Sequence, residues 1–561
     1  MNAFAVIREM LSARWHASCG ISLCDLEVEC DLEVEKKAVD PHPQPLGEQL
    51  MTTRPSYGTA TTGSTLRWAV ATAAVFALSA ALAAPAFAAS FIVMGRNVDS
   101  AASAVEEAGG KVTHRLPIIR AVAADLNPAQ RDVLLADSTI RRVFENAGVL
   151  AAGKPTKSSP GGLQGPDTIY PTLLGAADLH RLGVTGSGVT VAVLDTGIWD
   201  NLGEWNILEG YDARTLRYGA VDNDESGHGT HVTSIIMNRR KTSKKRGSLY
   251  NGIAPGADLV AVKAFDADGR GSYADVISGI GWIVANKDTY GIRVLNLSFS
   301  ARPQSHYWDD PINLAVMAAW QSGIVVVASA GNAGPDPMSI GVPGNVPYII
   351  TVGAMSDAAT TDAGDDRLTS FSAAGPTVEG FVKPELVAPG GHMTGMMRSD
   401  MKIAVDHSEF HHSGSYFDMS GTSQAAAAVS GVVALMLSGN PTLTPDEVKC
   451  RLMASARPAV KTDGTLAYSV FQQGAGMVHA LDAVSSQAAD CSNQDLDVAA
   501  DVLGIRHFGG RAELDANGNF YLRGINGDAF SWSDAFMWSD GVSAGDLASA
   551  GVDINTWVDQ E

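Results

Sequence analysis

The chain has 561 residues, of which 45% are hydrophobic and 18% charged, and its formal net charge at pH 7 is −21. This composition excludes an intrinsically disordered protein, and the length predicts two or three folded units. The chain has 61 acidic and 40 basic residues. This acidic excess excludes nucleic acid as the main partner, because phosphate binding requires clustered Lys and Arg.

The beginning of the chain has the pattern of an export signal. A basic residue, Arg67, precedes an Ala-rich apolar run that ends in Ala86-Phe87-Ala88, the form that signal peptidase cleaves. We therefore predict a signal peptide over residues 51–88 and cleavage after Ala88. The alternative is a membrane anchor, but Pro85 interrupts the run before it reaches the length of a span. Residues 1–50 do not fit a leader and are interpreted as extra or mis-assigned sequence, with translation starting at Met51.

Residues 89–150 alternate between short strand and helix patterns, which predicts a small α+β unit. Strands are expected at 91–94, 111–114, 121–126 and 141–144, and helices at 101–108 and Pro128–Ala136. Residues 151–168 are rich in Gly, Ser, Pro and Lys, a composition typical of an exposed linker that is open to proteolysis.

Residues 169–490 have the pattern of a larger α/β domain. Continuous apolar runs at 189–194, 259–262, 294–297, 324–328 and 348–352 predict strands that are buried on both faces, with helices between them at 274–286 and Pro311–Gln321. The predicted fold is a doubly wound, mostly parallel sheet. Two cysteines remain in the exported part, Cys450 and Cys491, and they predict one disulfide, with two separate buried thiols as the alternative.

Residues 491–561 form an acidic tail. From 492 onward it has 3 Arg against 12 Asp and Glu, and it contains a repeated hexad, 529–534 and 535–540. The alternating aromatics predict a short β structure with one aromatic face, formed by Phe530, Trp532, Phe536 and Trp538. Two interpretations stay open: a tail that packs on the main domain, or a secretion or surface-binding module.

Three Gly-flanked segments carry candidate catalytic side chains. Asp195 ends a buried strand, where sites form in open α/β sheets. His228 lies between two glycines at the predicted start of a helix, and an imidazole there is suited to act as a general base. His231, one turn later, is interpreted as a structural hydrogen-bonding residue. Ser423 follows a Gly-Thr pair at a predicted helix N-terminus, where backbone N–H groups favour a developing oxyanion.

The order Asp, His, Ser in these segments resembles the subtilisin-like serine peptidases, the subtilases. The resemblance implies a catalytic triad of Asp195, His228 and Ser423. It also implies that Asn332, in Ala328-Ser-Ala-Gly-Asn332, is the side-chain donor of the oxyanion hole. Substrate would then lie against two short segments, which comprise Ser298, Phe299 and Ser300, and Ser329, Ala330 and Gly331.

The resemblance further implies a secreted endopeptidase that works through an acyl-enzyme and is made as an autoprocessed zymogen. Its partners would be protein or peptide substrates and its own propeptide, residues 89–150, as an intramolecular inhibitor. We expect a monomer without a membrane span in the mature form and with no catalytic cofactor. A structural calcium ion is a family expectation without assigned ligands, because the Asp266–Gly269 loop is more typical of a turn.

Some residues depart from the family pattern. Gln424 and Ala427 replace a Met and a Pro that follow the nucleophile in the family, and Ser300 replaces a Gly, which would narrow or reshape the substrate groove. The Met- and His-rich segment 392–417 is predicted to be an inserted surface loop near the site.

Four other functions were weighed. A zinc hydrolase would use His407 and His411, but the glutamate between them has the wrong offset. A dinucleotide site fails because the glycines at 186 and 188 precede their strand. A lipase-type elbow needs a glycine where Ala425 stands. The remaining alternative is a catalytically weak or inactive subtilase-fold protein that binds peptides.

Overall fold

The computed structural model describes residues 88–522 except 152–153, 156–166, 201–203, 220, 359, 363, 413, 462–464 and 515–519. The predicted leader and signal peptide and the aromatic hexads of the tail lie outside the described residues.

The strands are numbered in chain order. Those before residue 190 are β1 (Ala89–Gly95), β2 (Lys111–Leu116), β3 (Ala121–Leu126), β4 (Ile140–Glu145), β5 (Gly148–Ala151) and β6 (Lys154–Pro155). The next are β7 (Thr190–Asp195), β8 (Asn206–Asp212), β9 (Arg217–Tyr218), β10 (Asp258–Lys263), β11 (Arg270–Ser272), β12 (Ile292–Leu297), β13 (Phe299–Ser300), β14 (Val325–Ser329) and β15 (Ile350–Ser356). The last are β16 (Arg367–Leu368), β17 (Leu386–Gly391), β18 (Met393–Met396), β19 (His411–His412), β20 (Tyr416–Ser420), β21 (Ala512–Leu514) and β22 (Phe520–Leu522).

The α-helices are numbered in the same way. They are α1 (Val98–Glu107), α2 (Pro128–Ala136), α3 (Tyr170–Leu173), α4 (Ala176–Arg181), α5 (His228–Met237), α6 (Tyr273–Tyr290), α7 (Pro311–Gln321), α8 (Lys402–Asp406), α9 (Thr422–Gly439), α10 (Pro445–Ser455), α11 (Val470–Gln473), α12 (Ala480–Ser485) and α13 (Val498–Val502).

The N-terminal unit is an antiparallel sheet in the order β2-β3-β1-β4 with α1 and α2 packed on it. Both helices begin at an Asn whose side chain accepts a backbone N–H of the first turn, Asn97 for α1 and Asn127 for α2. The unit packs on the main domain through β2, which contacts α6. Its strands and helices agree with the sequence prediction to within a few residues.

The main domain is built on a nine-stranded sheet. Its order is β16-β15-β14-β12-β7-β10-β8-β9, with β17 also paired to β15. Seven of these strands pair in parallel, namely β8, β10, β7, β12, β14, β15 and β17. The short β9 and β16 pair antiparallel to their neighbours. Helices α5 and α9 contact each other, and α6 and α7 contact each other, so the sheet is covered by two separate helix pairs. The fold is therefore the predicted doubly wound α/β fold.

The apolar runs form the core strands because both of their faces are covered. Every residue of β7 and β14 is buried, which explains why these strands are continuously apolar instead of alternating. The predicted strand at 348–352 begins two residues later, at Ile350. The carboxyl ends of these parallel strands lie at one edge of the sheet, where Asp195 ends β7.

The prediction of a surface loop for residues 392–417 is wrong. The segment forms β18, α8 and β19, and β18 and β19 pair with β20. Its methionines are buried: Met393 and Met396 lie in the main core, whereas Met397 and Met401 form a small apolar cluster with Phe410 and Phe417. The sequence pattern was misleading because these methionines stand among polar and charged residues, and it is the packing of the folded segment that buries them.

The structure joins Cys450 of α10 to Cys491 in a disulfide across a separation of 41 residues. The described part of the acidic tail packs on the main domain, where the buried Asp501 accepts hydrogen bonds from the hydroxyls of Tyr307 (2.5 Å) and Tyr348 (3.0 Å). Within the described ranges, α9 has the length and hydropathy of a membrane-spanning helix, and 89% of that stretch is buried inside the protein.

Candidate active site

The first two candidate side chains meet at the carboxyl edge of the sheet. His228 Nδ1 lies 2.6 Å from Asp195 Oδ1, and both residues are at most 2% exposed. Since a carboxylate only accepts hydrogen bonds, Nδ1 carries the hydrogen and donates it. The same Oδ1 accepts the Thr196 backbone N–H at 2.8 Å. The imidazole is therefore fixed in the tautomer whose Nε2 can accept a proton.

A buried carboxylate next to the site shapes the turn that presents His228. Asp224 accepts hydrogen bonds from the Thr196 hydroxyl (2.8 Å), from Gly227 N (2.8 Å) and from both the N–H and hydroxyl of Thr230 (2.8 and 2.6 Å). It thus ties the end of β7 to the first turn of α5. Sequence reasoning missed Asp224, although an acidic residue just before a Gly-flanked histidine is the available signal.

The approach of α5 to β7 leaves no room for a side chain at residue 229. A Cβ on Gly229 would lie 2.3 Å from the Gly197 carbonyl oxygen and 3.2 Å from Asp195 Cβ. The glycine that follows His228 is therefore required by this close contact, which brings the imidazole within hydrogen-bonding distance of Asp195.

Ser423 is the second residue of α9, as the sequence predicts. It is fully buried, its Oγ donates to the Ser298 carbonyl at 3.0 Å, and the Ser298 hydroxyl donates to the Ser423 carbonyl at 3.0 Å. These reciprocal bonds hold the start of α9 against the segment between β12 and β13. The helix contacts β12, β14, β15 and β17, and its small residues at 425–428 allow this close packing.

The amide of Asn332 is oriented by Thr422. Asn332 Oδ1 accepts the Thr422 N–H at 3.0 Å and its hydroxyl at 2.9 Å. Because the amide oxygen is used in this way, the amide N–H groups are left for another acceptor. The Gly331 N–H also bonds to the Thr422 hydroxyl, at 3.2 Å. Thr422 was not predicted as a site residue, yet it connects the Asn332 loop directly to the start of α9.

The two predicted substrate-binding segments lie side by side. Ser329 Oγ donates to the Phe299 carbonyl at 2.8 Å, and Ser298 bonds to Ser423 as described above. Ser298, Phe299, Ser329, Ala330 and Gly331 are buried, whereas Ser300 is partly exposed. The structure thus brings the two segments together next to Ser423.

A segment of the chain itself occupies the space between β11 and β13, which we call the cleft. β5 is the central strand of a three-stranded antiparallel sheet, between β11 and β13. Its register pairs Ala151 with Phe299 and Leu150 with Ser300 on one side, and Val149 with Gly271 on the other. Val149 is 1% exposed and Leu150 is 57% exposed, so the strand turns one side chain into the protein and the next to solvent.

Beyond the gap at 152–153 the chain is again paired near the nucleophile. β6 runs antiparallel to β20, with Lys154 opposite Ser420 and Pro155 opposite Met419. Residues before and after the gap are therefore paired with different strands, β5 with β11 and β13, and β6 with β20. The strand β11 was missed by the sequence analysis, and the glycines at 269 and 271 were the only signal for it.

His231 is a structural residue, as predicted. Its Nε2–H donates to the carbonyls of Met393 (3.1 Å) and Phe417 (3.0 Å), which fastens α5 to the segment that carries β18 and β20. Burial lowers the pKa of His231 to about 4, so that the ring is neutral at pH 7.

The residues present do not fit a metal ion at the sites weighed from the sequence. Asp266 Oδ1 accepts the N–H groups of Asp268 and Arg270, both at 2.9 Å, so this loop is a turn closed by its own carboxylate. His411 Nε2 is bonded to the Met397 carbonyl. Across the described ranges, no group of three or more His, Cys, Asp or Glu side chains is arranged to hold a metal.

The doubly wound sheet carries an Asp-His pair at its carboxyl edge, and a serine lies there at the start of a helix. Together with the chain order Asp, His, Ser, these features are those of one class of serine peptidases. The comparisons with known proteins make this more specific. The Peptidase_S8 model, described as the Subtilase family, matches residues 186–476, and the chain belongs to this family. It is thus a subtilisin-like serine endopeptidase, as the sequence motifs indicate.

Named relatives agree with this assignment. The chain is 34% identical over 391 residues to serine protease AprX of Bacillus subtilis (strain 168), which covers 68% of this chain and 83% of the relative. It is 31% identical over 357 residues to subtilisin E of the same organism. This match covers 63% of this chain and 79% of the relative.

A similar fold is found in the crystal structure of fervidolysin from Fervidobacterium pennivorans. The TM-score is 0.57 and the sequence identity 24%, over 72% of this chain and 62% of that protein. This chain thus spans less than two thirds of fervidolysin, and the likeness concerns the fold alone.

Proposed function

We propose that the protein is a secreted serine endopeptidase that uses Asp195, His228 and Ser423 as a catalytic triad and is made as an autoprocessed zymogen. The observation that carries the proposal is the 2.6 Å bond between Asp195 and His228 at the sheet edge where α9 begins, with Ser423 in its first turn. Such a bond fixes the histidine tautomer that a serine nucleophile needs as its base.

In the proposed reaction, Ser423 Oγ attacks the carbonyl carbon of the scissile peptide bond while His228 Nε2 takes its proton. The imidazolium that forms is stabilised by Asp195, and it then gives the proton to the leaving amine. A water molecule, deprotonated by His228, hydrolyses the resulting ester and regenerates Ser423. All proton transfers use one imidazole, so the reaction requires no redox or organic cofactor.

The oxyanion of the tetrahedral intermediate would be held by the Ser423 backbone N–H and by the Asn332 amide. Two features support this assignment. Ser423 lies in the first turn of α9, where backbone N–H groups have no acceptor within the helix. Thr422 uses only the oxygen of the Asn332 amide, which leaves its N–H groups for the oxyanion.

The zymogen proposal rests on β5 and β6. An extended segment inserted between two cleft strands is the way a peptidase of this kind would hold a substrate, and here the inserted segment is the protein's own chain. We therefore propose that residues 89–150 act as an inhibitory propeptide and that self-cleavage occurs between Ala151 and Lys154. The mature enzyme would begin in the 151–168 region and retain the 169–490 catalytic domain.

Secretion is proposed from the signal-peptide pattern that ends at Ala88 and from the Cys450–Cys491 disulfide, since disulfides persist in oxidising compartments. We propose protein or peptide substrates and a monomeric mature form without a membrane span. A family-type calcium ion is not assigned to any described residue. The alternative, an inactive peptide-binding relative, has no specific observation in its favour.

The experiment compares secreted wild-type protein with Ser423→Ala. We expect wild-type protein to hydrolyse casein and to take up a fluorophosphonate probe on Ser423, whereas the alanine variant does neither. Matched folding of the two proteins, checked by circular dichroism, is the control. Wild-type protein that has lost its propeptide and still neither labels nor hydrolyses casein would contradict the proposal and favour the peptide-binding alternative.

A further inference from the structure

Beside Ser423, three backbone segments are hydrogen-bonded side by side. Ala301, the residue after β13, pairs with Val342, through Ala301 N to the Val342 carbonyl (2.9 Å) and Val342 N to the Ala301 carbonyl (2.8 Å). Gly341 N donates to the Ala330 carbonyl at 3.0 Å. Ser300 therefore faces the two glycines Gly331 and Gly341, and we call the place where they meet the slot.

The side chain of Ser300 fills the space that these glycines leave. A Cβ placed on Gly341 would lie 1.9 Å from Ser300 Oγ, and a Cβ placed on Gly331 would lie 2.8 Å from the same atom. The hydroxymethyl group thus lies directly over both glycines. Ala330 and Ile340, which precede these glycines in the chain, form a small buried apolar cluster with Ala373.

The slot lies where the reacting residue of a substrate would be. Ser423 Oγ bonds to the Ser298 carbonyl, two residues before Ser300, and Gly331 N bonds to Thr422. In the antiparallel register of β5, Ala151 is opposite Phe299, so the next residue of a substrate in that strand would be opposite Ser298. In the proposed reaction that residue would provide the carbonyl which Ser423 attacks, because Ser298 bonds directly to Ser423, and its side chain would lie close to Ser300.

We propose that Ser300 is a specificity-determining residue that limits the residue on the acyl side of the scissile bond to small side chains, namely Gly, Ala or Ser. This inference rests on the proposed peptidase function. An aromatic or long aliphatic side chain would have to displace the Ser300 hydroxymethyl group from its contacts with Gly331 and Gly341. The chain's own segment is consistent with the proposal, because residues 151–153 are Ala-Ala-Gly.

The test uses two chromogenic peptide anilides built on the chain's own residues 149–151: Val-Leu-Ala-Ala and Val-Leu-Ala-Phe. We expect the mature wild-type enzyme to prefer the alanine peptide by at least about tenfold in kcat/KM. Ser300→Gly should raise the ratio of phenylalanine to alanine cleavage by at least about tenfold, since one methylene group in a pocket is worth 10- to 200-fold. Ser300→Ala, which keeps the Cβ, should give an intermediate ratio.

Ser187→Gly is the matched control, since Ser187 is exposed at the amino end of the sheet, opposite the site, and this variant should keep the wild-type ratio. Mapping the fragments of digested casein gives a second readout that needs no variant. Equal cleavage of both peptides, or casein cuts after large residues, by enzyme that takes up fluorophosphonate would overturn the inference while the peptidase function stands. Failure to label and to cut casein would instead overturn the proposed function.

Discussion

At the residue scale, the site depends on side chains whose hydrogen bonds fix the orientation of their neighbours. Asp195 orients His228, and Thr422 orients Asn332. Asp195, His228 and Thr422 are buried and Asn332 is partly buried, and removal of one partner would leave its neighbour free to rotate. Removal of a side chain that donates to the substrate should therefore lower activity, whereas a change of a buried charge elsewhere should alter stability.

Asn332→Ala should lower kcat by about 10²–10³-fold with little change in KM, because it removes a donor that acts on the oxyanion and not on the ground-state carbonyl. This loss is about 3 kcal/mol of transition-state stabilisation, the size known for such a donor in subtilisin itself. Steady-state kinetics on a peptide anilide measures it. The control is Asn286→Ala on α6, an amide that bonds only to the Trp282 carbonyl. Unchanged kcat in Asn332→Ala would remove Asn332 from the oxyanion hole.

A second residue-scale prediction concerns Asp366. Burial, followed by the charges of Asp357, Asp365 and Asp362, raises the pKa of Asp366 to about 7. In the unfolded chain the carboxyl ionises near pH 4, so between pH 4 and 7 the folded state binds more protons and the free energy of unfolding falls as pH rises. Above pH 7 this destabilisation is complete.

Asp366→Asn should therefore raise the free energy of unfolding at pH 8 by about 1 kcal/mol or more and have a smaller effect at pH 5. Urea unfolding of the Ser423→Ala protein, with and without the substitution, measures this without self-digestion. Asp288→Asn, at a side chain that is 90% exposed, serves as the control. An equal effect of Asp366→Asn at both pH values would show that Asp366 ionises normally in the folded protein.

At the scale of the elements, β5 is the part of the structure that connects the N-terminal unit to the cleft. It is a short strand held by backbone pairing with β11 and β13, and Val149 is its one fully buried side chain. A strand added between two others derives its affinity from the backbone and its selectivity from alternate side chains.

Val149→Asp should slow self-cleavage of the full-length chain by at least tenfold, because it places a carboxylate at a site that is 1% exposed. Leu150→Asp, at the neighbouring position that is 57% exposed, should have little effect. The disappearance of full-length protein on gels during refolding measures both rates. Equal slowing by the two substitutions would mean that β5 does not dock in the way described.

The disulfide also acts at this scale. It ties α10 to the beginning of the acidic tail and closes a separation of 41 residues. In the chain-entropy model, a loop of this size stabilises the fold by about 3–4 kcal/mol. Together with the bonds of Asp501 to Tyr307 and Tyr348, it holds the described part of the tail on the main domain.

At the scale of the whole molecule, the N-terminal unit and the main domain form one continuous packing surface through α6. Ionic contacts such as Arg142–Asp309 (2.6 Å) add to the apolar contacts between them. In the proposed zymogen, the same surface keeps β5 in the cleft until the chain is cut.

Secreted wild-type protein should therefore carry a new N-terminus at residue 152, 153 or 154, whereas Ser423→Ala expressed in a protease-free host should begin at residue 89. N-terminal sequencing of both proteins tests this. Trimming of Ser423→Ala to the wild-type N-terminus, with no other protease present, would show that maturation is not self-catalysed.

The fold was predictable from the sequence where local pattern and burial agree. The continuously apolar runs of β7, β10, β12 and β14 are strands covered on both faces, and the motif order identified the family. The prediction of a surface loop at 392–417 was wrong because the buried methionines of this segment are scattered among polar residues. Its pairing partner, β20, follows in sequence, but nothing local indicates that the two strands meet.

The family and the doubly wound fold could be identified from sequence patterns alone. So could the candidate catalytic side chains, because each lies in a short Gly-flanked segment that requires particular residue types. How those segments meet depends on tertiary contacts: the Asp224 bonds that hold the His228 turn, the Thr422 bonds that orient Asn332, and the position of Ser300 over Gly331 and Gly341. The reason is physical. These contacts join residues from different strands and loops, and their geometry depends on packing at distances that no local pattern encodes.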